Sequence, residues 1–324
     1  MRTSMIASAC VATVVLVACG QKTSSTPVAS GAAGVGASAT AEVSTRTTDT
    51  LEQFKSTGVV NLGVRDSSGL GYALGDGKYV GFHTEMAERI VSDIKKELNL
   101  PHLRINYVPI TSRNRIPLLQ NGTYDFECGS TTNSEARQRD VDFAYTTYVE
   151  EVRIATKSSS GIKSLADLNG KSVVTTAGTT SVQTLRRDAR AQNLNFREVM
   201  GKDHADSFLM LESGLADAFI MDGSILAANI SKSKAPKDFV MLNEVLSVEP
   251  IACMLPKGDV KLKEKINTSI KRQIADGSLA KLYDRWFMQP TPPASVVVGW
   301  PLSESTKAAW SNPNDKPMEA YAKK

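Results

Sequence analysis

Long hydrophobic runs are absent from this sequence. The longest, Met5 to Val17, has thirteen residues, and a helix needs about 20 to cross a bilayer. No Gly-x-Ser-x-Gly and no phosphate-binding glycine loop occurs, and no spacing of His or Cys suits a metal. Basic runs are missing as well. The formal charge of +4 is spread along the chain, which argues against nucleic acid as a partner. There is no fixed-period repeat. No cofactor or metal is expected, and the remaining possibility is a small ligand held by hydrogen bonds.

The first residues read as an export signal. Arg2 gives a positive start, and the apolar run that follows has the length of a secretory h-region. The run ends in Leu16-Val17-Ala18-Cys19-Gly20, which resembles the lipobox of bacterial lipoproteins. Residues 1–18 are therefore expected to be a lipoprotein signal peptide, with Cys19 left as the lipidated first residue. Residues 20–48 are mostly Gly, Ala, Ser, Thr and Val, too poor in apolar bulk to build a core. With Cys19 they form an expected tether, 19–48, spanning about 30 Å root-mean-square. Of the four cysteines, Cys10 leaves with the signal. Cys128 and Cys253 remain, as two buried thiols or as a pair that an oxidising compartment permits.

About 275 residues follow the tether, more than one core usually holds. Short apolar runs alternate with helical patterns. Strands are expected at Val59–Arg65, Leu103–Ile110, Tyr124–Cys128, Ser172–Thr176, Asn195–Met200 and Asp217–Met221. Phe82, Met86, Ile90, Ile94 and Leu98 line one helix face, and Leu262, Ile266, Ile270 and Ile274 another. Shorter helices are expected at Arg115–Asn121, Thr180–Gln192 and Ser207–Leu215. The alternation predicts an α/β fold with largely parallel sheets.

The stretch Ile110–Asn133 collects Ser112, Arg113, Arg115, Cys128 and Ser130-Thr131-Thr132 at the two ends of a short helix-plus-strand unit, and Arg137 follows. Arginine suits bidentate recognition of carboxylates. The order of these residues resembles the substrate-binding proteins of bacterial amino-acid ABC importers, solute-binding family 3, and among them the glutamate/aspartate-binding members. The resemblance covers about Leu51 to Pro293 and is strong in Ile110–Arg137, Gly201–Asp222 and Lys281–Pro293. It implies a type II periplasmic-binding-protein fold of two lobes, each a mixed, mostly parallel sheet flanked by helices. Residues 49–148 plus 250–290 would form lobe 1, and 152–246 an inserted lobe 2. The hinge would run through Tyr148–Val152 and Leu246–Ile251, and 291–324 would be a polar C-terminal extension. It also implies a Cys128–Cys253 disulfide.

The resemblance assigns residues to an acidic amino acid. Arg137 would grip the α-carboxylate, helped by Thr132 and, from the inserted lobe, Thr180. Ser130 and Asp222 would take the ammonium. Asp222 ends an apolar strand, where α/β sheets gather ligands, though an Asp there also suits the N-cap of a helix from Gly223. Arg65, Ser112, Arg115 and His204 would surround the side-chain carboxylate, with His204 most useful when protonated. Arg113 is expected at the surface. The charge count sets Arg65, Arg115 and Arg137 against Asp222 and a ligand of net charge −1.

The implied function is an extracytoplasmic binding protein, not an enzyme. It would capture L-glutamate or L-aspartate by hinge closure and deliver it to a permease with its ATPase. A monomer anchored to a membrane through Cys19 is expected. Two alternatives compete: an enzyme on this scaffold, such as a dehydratase of an anionic hydroxyacid using His204 or Glu127, and a tethered sensory domain. A Cys128–His204 nucleophile pair would require Cys128 to be a free thiol.

Overall fold

The computed structural model describes residues 49–321. The expected signal peptide, Cys19 and the tether lie outside these residues. The chain opens with α1 (Thr50–Thr57), β1 (Val59–Arg65), the hairpin β2 (Tyr72–Gly75) and β3 (Lys78–Val80), and α2 (Phe82–Glu97). Then come β4 (Arg104–Ile110), α3 (Arg115–Gln120), β5 (Phe126–Glu127), α4 (Glu135–Gln138) and β6 (Val141–Lys157). The middle contains β7 (Ser172–Thr176), α5 (Thr180–Ala191), β8 (Arg197–Gly201), α6 (His204–Glu212), β9 (Ala218–Asp222) and α7 (Gly223–Lys232). It closes with β10 (Phe239–Met241), β11 (Ser247–Pro256), α8 (Val260–Ala275), α9 (Ser278–Phe287) and α10 (Glu304–Ser311).

Nine strands make one sheet in the order β4-β1-β5-β11-β6-β9-β7-β8, with β10 beside β6. Its two wings are parallel: β1 pairs with β4 and β5, and β7 with β8 and β9. The long antiparallel strands β6 and β11 join them. β6 pairs with β11 from Val141 to Val152, then with β9 from Val152 to Thr156. The segments expected to cross between lobes are thus direct partners, Ile251 opposite Tyr148 and Ser247 opposite Val152.

Each wing has its own apolar packing on both faces. In the second wing Val152, Ile154, Val173, Ala218 and Ile220 pack on one side. Their neighbours Ala155, Val174, Phe219 and Met221 pack on the other, with Phe208 and Ile225. This follows from the period of two in a strand covered by helices on both faces. In the first wing α2 lays its every-fourth-residue stripe against α8, α9 and the sheet. Burying a Phe, Met or Ile side chain contributes about 1.5–3 kcal/mol, so this stripe fixes α2 in place.

Boundaries shift where polar side chains act. The strand expected at Tyr124–Cys128 pairs only at Phe126–Glu127. Asp125 turns its carboxylate to the Asn61 amide at 2.7 Å, and Cys128 is bonded to Cys253 across to β11, with Cα atoms 4.1 Å apart. α6 begins three residues before the expected start. Asp203 caps it, accepting from the Asp206 amide at 2.9 Å.

The C-terminal segment is docked as well as polar. Thr306, Ala309 and Trp310 of α10 are buried. Thr306 Oγ1 accepts from the Val149 amide at 3.0 Å, and Trp310 Nε1 donates to the Thr147 carbonyl at 2.8 Å. Trp300 donates through Nε1 to Tyr148 Oη at 3.0 Å. The segment thus runs along β6 where that strand passes from one wing to the other.

Candidate functional site

Arg65 is the last residue of β1 and is buried where the strand ends. Its guanidinium organises one side of the site. Nη2 donates to Ser112 Oγ at 2.8 Å and to His204 Nε2 at 3.0 Å, and Nη1 donates to Ser130 Oγ at 3.2 Å. Burial, and then Arg115, lower its pKa to about 10, so it stays charged at neutral pH. Arg115 opens α3 and is among the largest fully buried side chains. Its Nη1 donates to the Ser130 carbonyl at 3.1 Å and Thr131 Oγ1 at 2.7 Å, while Nε has no hydrogen-bond partner. Ser130 therefore already accepts from two arginines, by hydroxyl and by carbonyl. Arg113 is exposed, as expected.

His204 contradicts one expectation. Its Nε2 accepts from Arg65, so the ring's proton is on Nδ1 and goes to Thr176 Oγ1 at 3.1 Å. Burial first, then the charges of Arg65 and Arg115, hold the imidazole well below its ordinary pKa. Its position as the first residue of α6 also disfavours a cation. His204 is neutral, because a proton on Nε2 would face a guanidinium.

A second group lies beside the first. Thr132, in the loop before α4, and Thr180, the first residue of α5, bring their hydroxyl oxygens to 3.4 Å. Both donate to Glu249 Oε2 at 2.6 Å. Arg137, half-buried in α4, donates to the Thr132 carbonyl at 2.8 Å and, more weakly, to the Gly178 carbonyl at 3.4 Å. Burial and then Arg115 lower its pKa to about 9. Gly178 has φ +81°, and a Cβ there would lie 2.7 Å from the Arg113 Cα and the Ser112 carbonyl oxygen. The loop after β7 thus rests directly on the loop after β4, an approach that only glycine permits.

Asp222 ends β9 and is buried. It stands at the N-cap position of α7, but its side chain makes no capping bond, and Oδ1 has no hydrogen-bond partner. Burial, then Glu150 and Glu249, push its carboxyl well above the usual range, against Arg115 and Arg137. Of the nine expected ligand residues, eight are joined through the Arg65, Ser130–Thr132 and Thr180 contacts; Asp222 connects by charge alone.

Three buried glutamates were not counted in the sequence. Glu127 accepts from Thr131 Oγ1 and lies near Arg115 and Arg65, its carboxyl raised by burial. Glu150 accepts from the amide and hydroxyl of Ser224 and is raised to about 8 by burial, against the Ser224 bonds. Glu249 is the third. The charge count is therefore three arginines against four carboxyl groups, not against Asp222 alone. Burial raises the carboxyls of Glu127, Glu150 and Asp222, which offsets part of the negative charge set against the arginines.

Residues 60–289 match the bacterial extracellular solute-binding proteins, family 3. The chain belongs to that family. Among its relatives, this solute-binding protein is 43% identical over 274 residues to the L-glutamate/L-aspartate-binding protein of Pseudomonas aeruginosa, covering 84% of this chain and 91% of that one. It is 42% identical over 270 residues to the glutamate/aspartate import solute-binding protein of Escherichia coli, covering 83% and 89%. Among solved structures it resembles an ancestral amino-acid-binding protein described as a precursor of cyclohexadienyl dehydratase. That likeness has a TM-score of 0.63 and 26% identity, over 73% of this chain and 98% of the other. The type II periplasmic-binding-protein fold follows from the family and these neighbours. The matched range stops before Trp300 and α10, which dock on the family core from outside it.

Proposed function

We propose that this solute-binding protein captures L-glutamate or L-aspartate outside the cytoplasm and hands it to an ABC importer. The observation that carries this reading is the pair of buried arginines, Arg65 and Arg115, clustered with Ser112, Ser130 and neutral His204 at the ends of β1 and β4. Buried guanidinium groups need charged or strongly polar partners. A side-chain carboxylate supplies one, and an amide supplies a weaker one. Arg137 and the main-chain amides of Thr132 and Thr180 take the α-carboxylate, since both hydroxyl protons go to Glu249, and Asp222, with its unpartnered Oδ1, takes the ammonium. The relatives from Pseudomonas aeruginosa and Escherichia coli, named for glutamate and aspartate, support the ligand class.

In this reading residues 49–148 plus 250–290 and residues 152–246 are two lobes, and β6 and β11 flex where they pair. A lipid on Cys19 holds the monomer at a membrane. The enzyme alternative is weaker at two places: the Cys128–His204 nucleophile pair lacks a free thiol because Cys128 is in a disulfide, and both ring nitrogens of His204, a candidate of the dehydratase reading, are in hydrogen bonds.

Thermal unfolding of the purified protein against the twenty amino acids tests the reading. A ligand that binds only the folded state raises the melting temperature by mass action. L-glutamate and L-aspartate are expected to give the largest shifts. A larger shift with a neutral or basic amino acid would overturn the assignment.

A further inference from the structure

Glu249 has no place in the ligand set, yet it is completely buried at the middle of the site. It lies on β11 opposite Glu150 of β6, so two glutamates face each other across neighbouring strands. Two charged carboxylates in that position would repel; burial raises Glu150 to about 8, and each carboxyl has its own partners. For Glu249 these are three hydroxyls. Ser247 Oγ donates to Oε1 at 2.7 Å, and Thr132 Oγ1 and Thr180 Oγ1 both donate to Oε2 at 2.6 Å.

The origin of the two threonines is the informative part. Thr132 belongs to the first wing, where it bridges to Ile251. Thr180 opens α5, which packs against β7 of the second wing. A hydroxyl has a single proton, and each spends it on Glu249. The two oxygens at 3.4 Å then have no proton to share with each other. What holds these loops together at this point is a third group, on the strand that joins the wings.

We infer that Glu249 is a positioning residue that clasps Thr132 to Thr180 and so favours the closed arrangement of the two wings before a ligand completes it. The inference rests on the two-lobed binding reading. It adds that closure is helped from the joining strands and not by the ligand alone. It also orients both hydroxyls, which turn lone pairs and not protons toward the cleft.

The test combines small-angle scattering of the ligand-free protein with calorimetric titration of L-glutamate, for the unaltered chain, Glu249→Gln, Thr180→Val and the double variant. Glu249→Gln keeps the shape and replaces one of the two accepting oxygens with an amide nitrogen that cannot accept. The expected result is a larger ligand-free radius of gyration and about tenfold weaker binding, the loss of one such bond. Thr180→Val is expected to act in the same direction, and to cost little more when Glu249 is already replaced. Unchanged ligand-free scattering in both single variants, or fully additive losses, would overturn the clasp. If Glu249→Gln does not fold, Thr180→Val removes the same bond from the other side and decides alone. A chain that binds no amino acid would defeat the functional reading, while the scattering comparison would still judge the clasp.

Discussion

Burial without water decides the behaviour of single residues in this protein. Glu150 and Asp222 sit in β6 and β9 with little room for solvent, and both carboxyls are shifted upward, Glu150 to about 8. Such a group holds a proton in the folded chain that it has lost in the unfolded chain. Between the ordinary carboxyl pKa and the raised one, stability therefore falls as pH rises. His204 acts in the opposite sense, but only below its ordinary value near 6.5. The melting temperature of the ligand-free protein is thus predicted to fall from pH 6.5 to 8. Glu150→Gln should flatten that slope, as followed by circular dichroism, and an unchanged slope would contradict the assignment. The arginines and hydroxyls of the site were legible in the sequence because their order matches a family. Of the glutamates, Glu127 entered only as a candidate acid or base of the enzyme reading, and Glu150 and Glu249 did not enter. In Tyr148-Val149-Glu150-Glu151-Val152 each strand face carries one glutamate, so no local pattern marks Glu150, beside buried Tyr148 and Val152, as the buried one.

At the level of elements, long periodic segments were read well and short ones poorly. The stripes of α2 and α8 repeat every four residues and fell where expected, because a buried helix face leaves few alternatives. β5 was shortened by a side-chain bond and a disulfide that span distant positions, which no local pattern carries. The C-terminal segment was unreadable for a related reason: its value lies in what it touches. Trp300 joins Tyr148 Oη through its ring nitrogen, receives Tyr283 Oη at its carbonyl at 2.9 Å, and meets Gly223, where a Cβ would come within 2.8 Å of the indole. It packs on the first wing and on the start of α7 together. Trp300→Ala is predicted to cost about 2 kcal/mol in urea unfolding, less than the 3–5 kcal/mol of a fully buried tryptophan because the ring is half-buried. A loss below about 0.5 kcal/mol, the range of an ordinary surface change, would show that the segment does not brace this junction.

The described residues form two parallel wings on one continuous sheet, brought face to face at a few contacts. Gly178 lies against Arg113, Gly69 against Ser224, Thr180 beside Thr132, and His204 against Arg65. The fold class was legible because alternating strands and helices admit few topologies, whereas the division into lobes came only from the resemblance to a family. The single sheet running through β6 and β11 was not legible, since pairing between strands about a hundred residues apart leaves no local trace. The central claim is that these contacts enclose an arginine-lined site for a second carboxylate. Calorimetric titration of the protein, freed of bound ligand by unfolding and refolding, with L-glutamate and L-glutamine tests it most directly, alongside Arg115→Met. The account predicts that glutamate binds at least tenfold more tightly than glutamine, a difference of about 1.4 kcal/mol or more. It also predicts that Arg115→Met loses most of that preference. Equal affinities in the unaltered protein, or a preference unchanged by Arg115→Met, would contradict it.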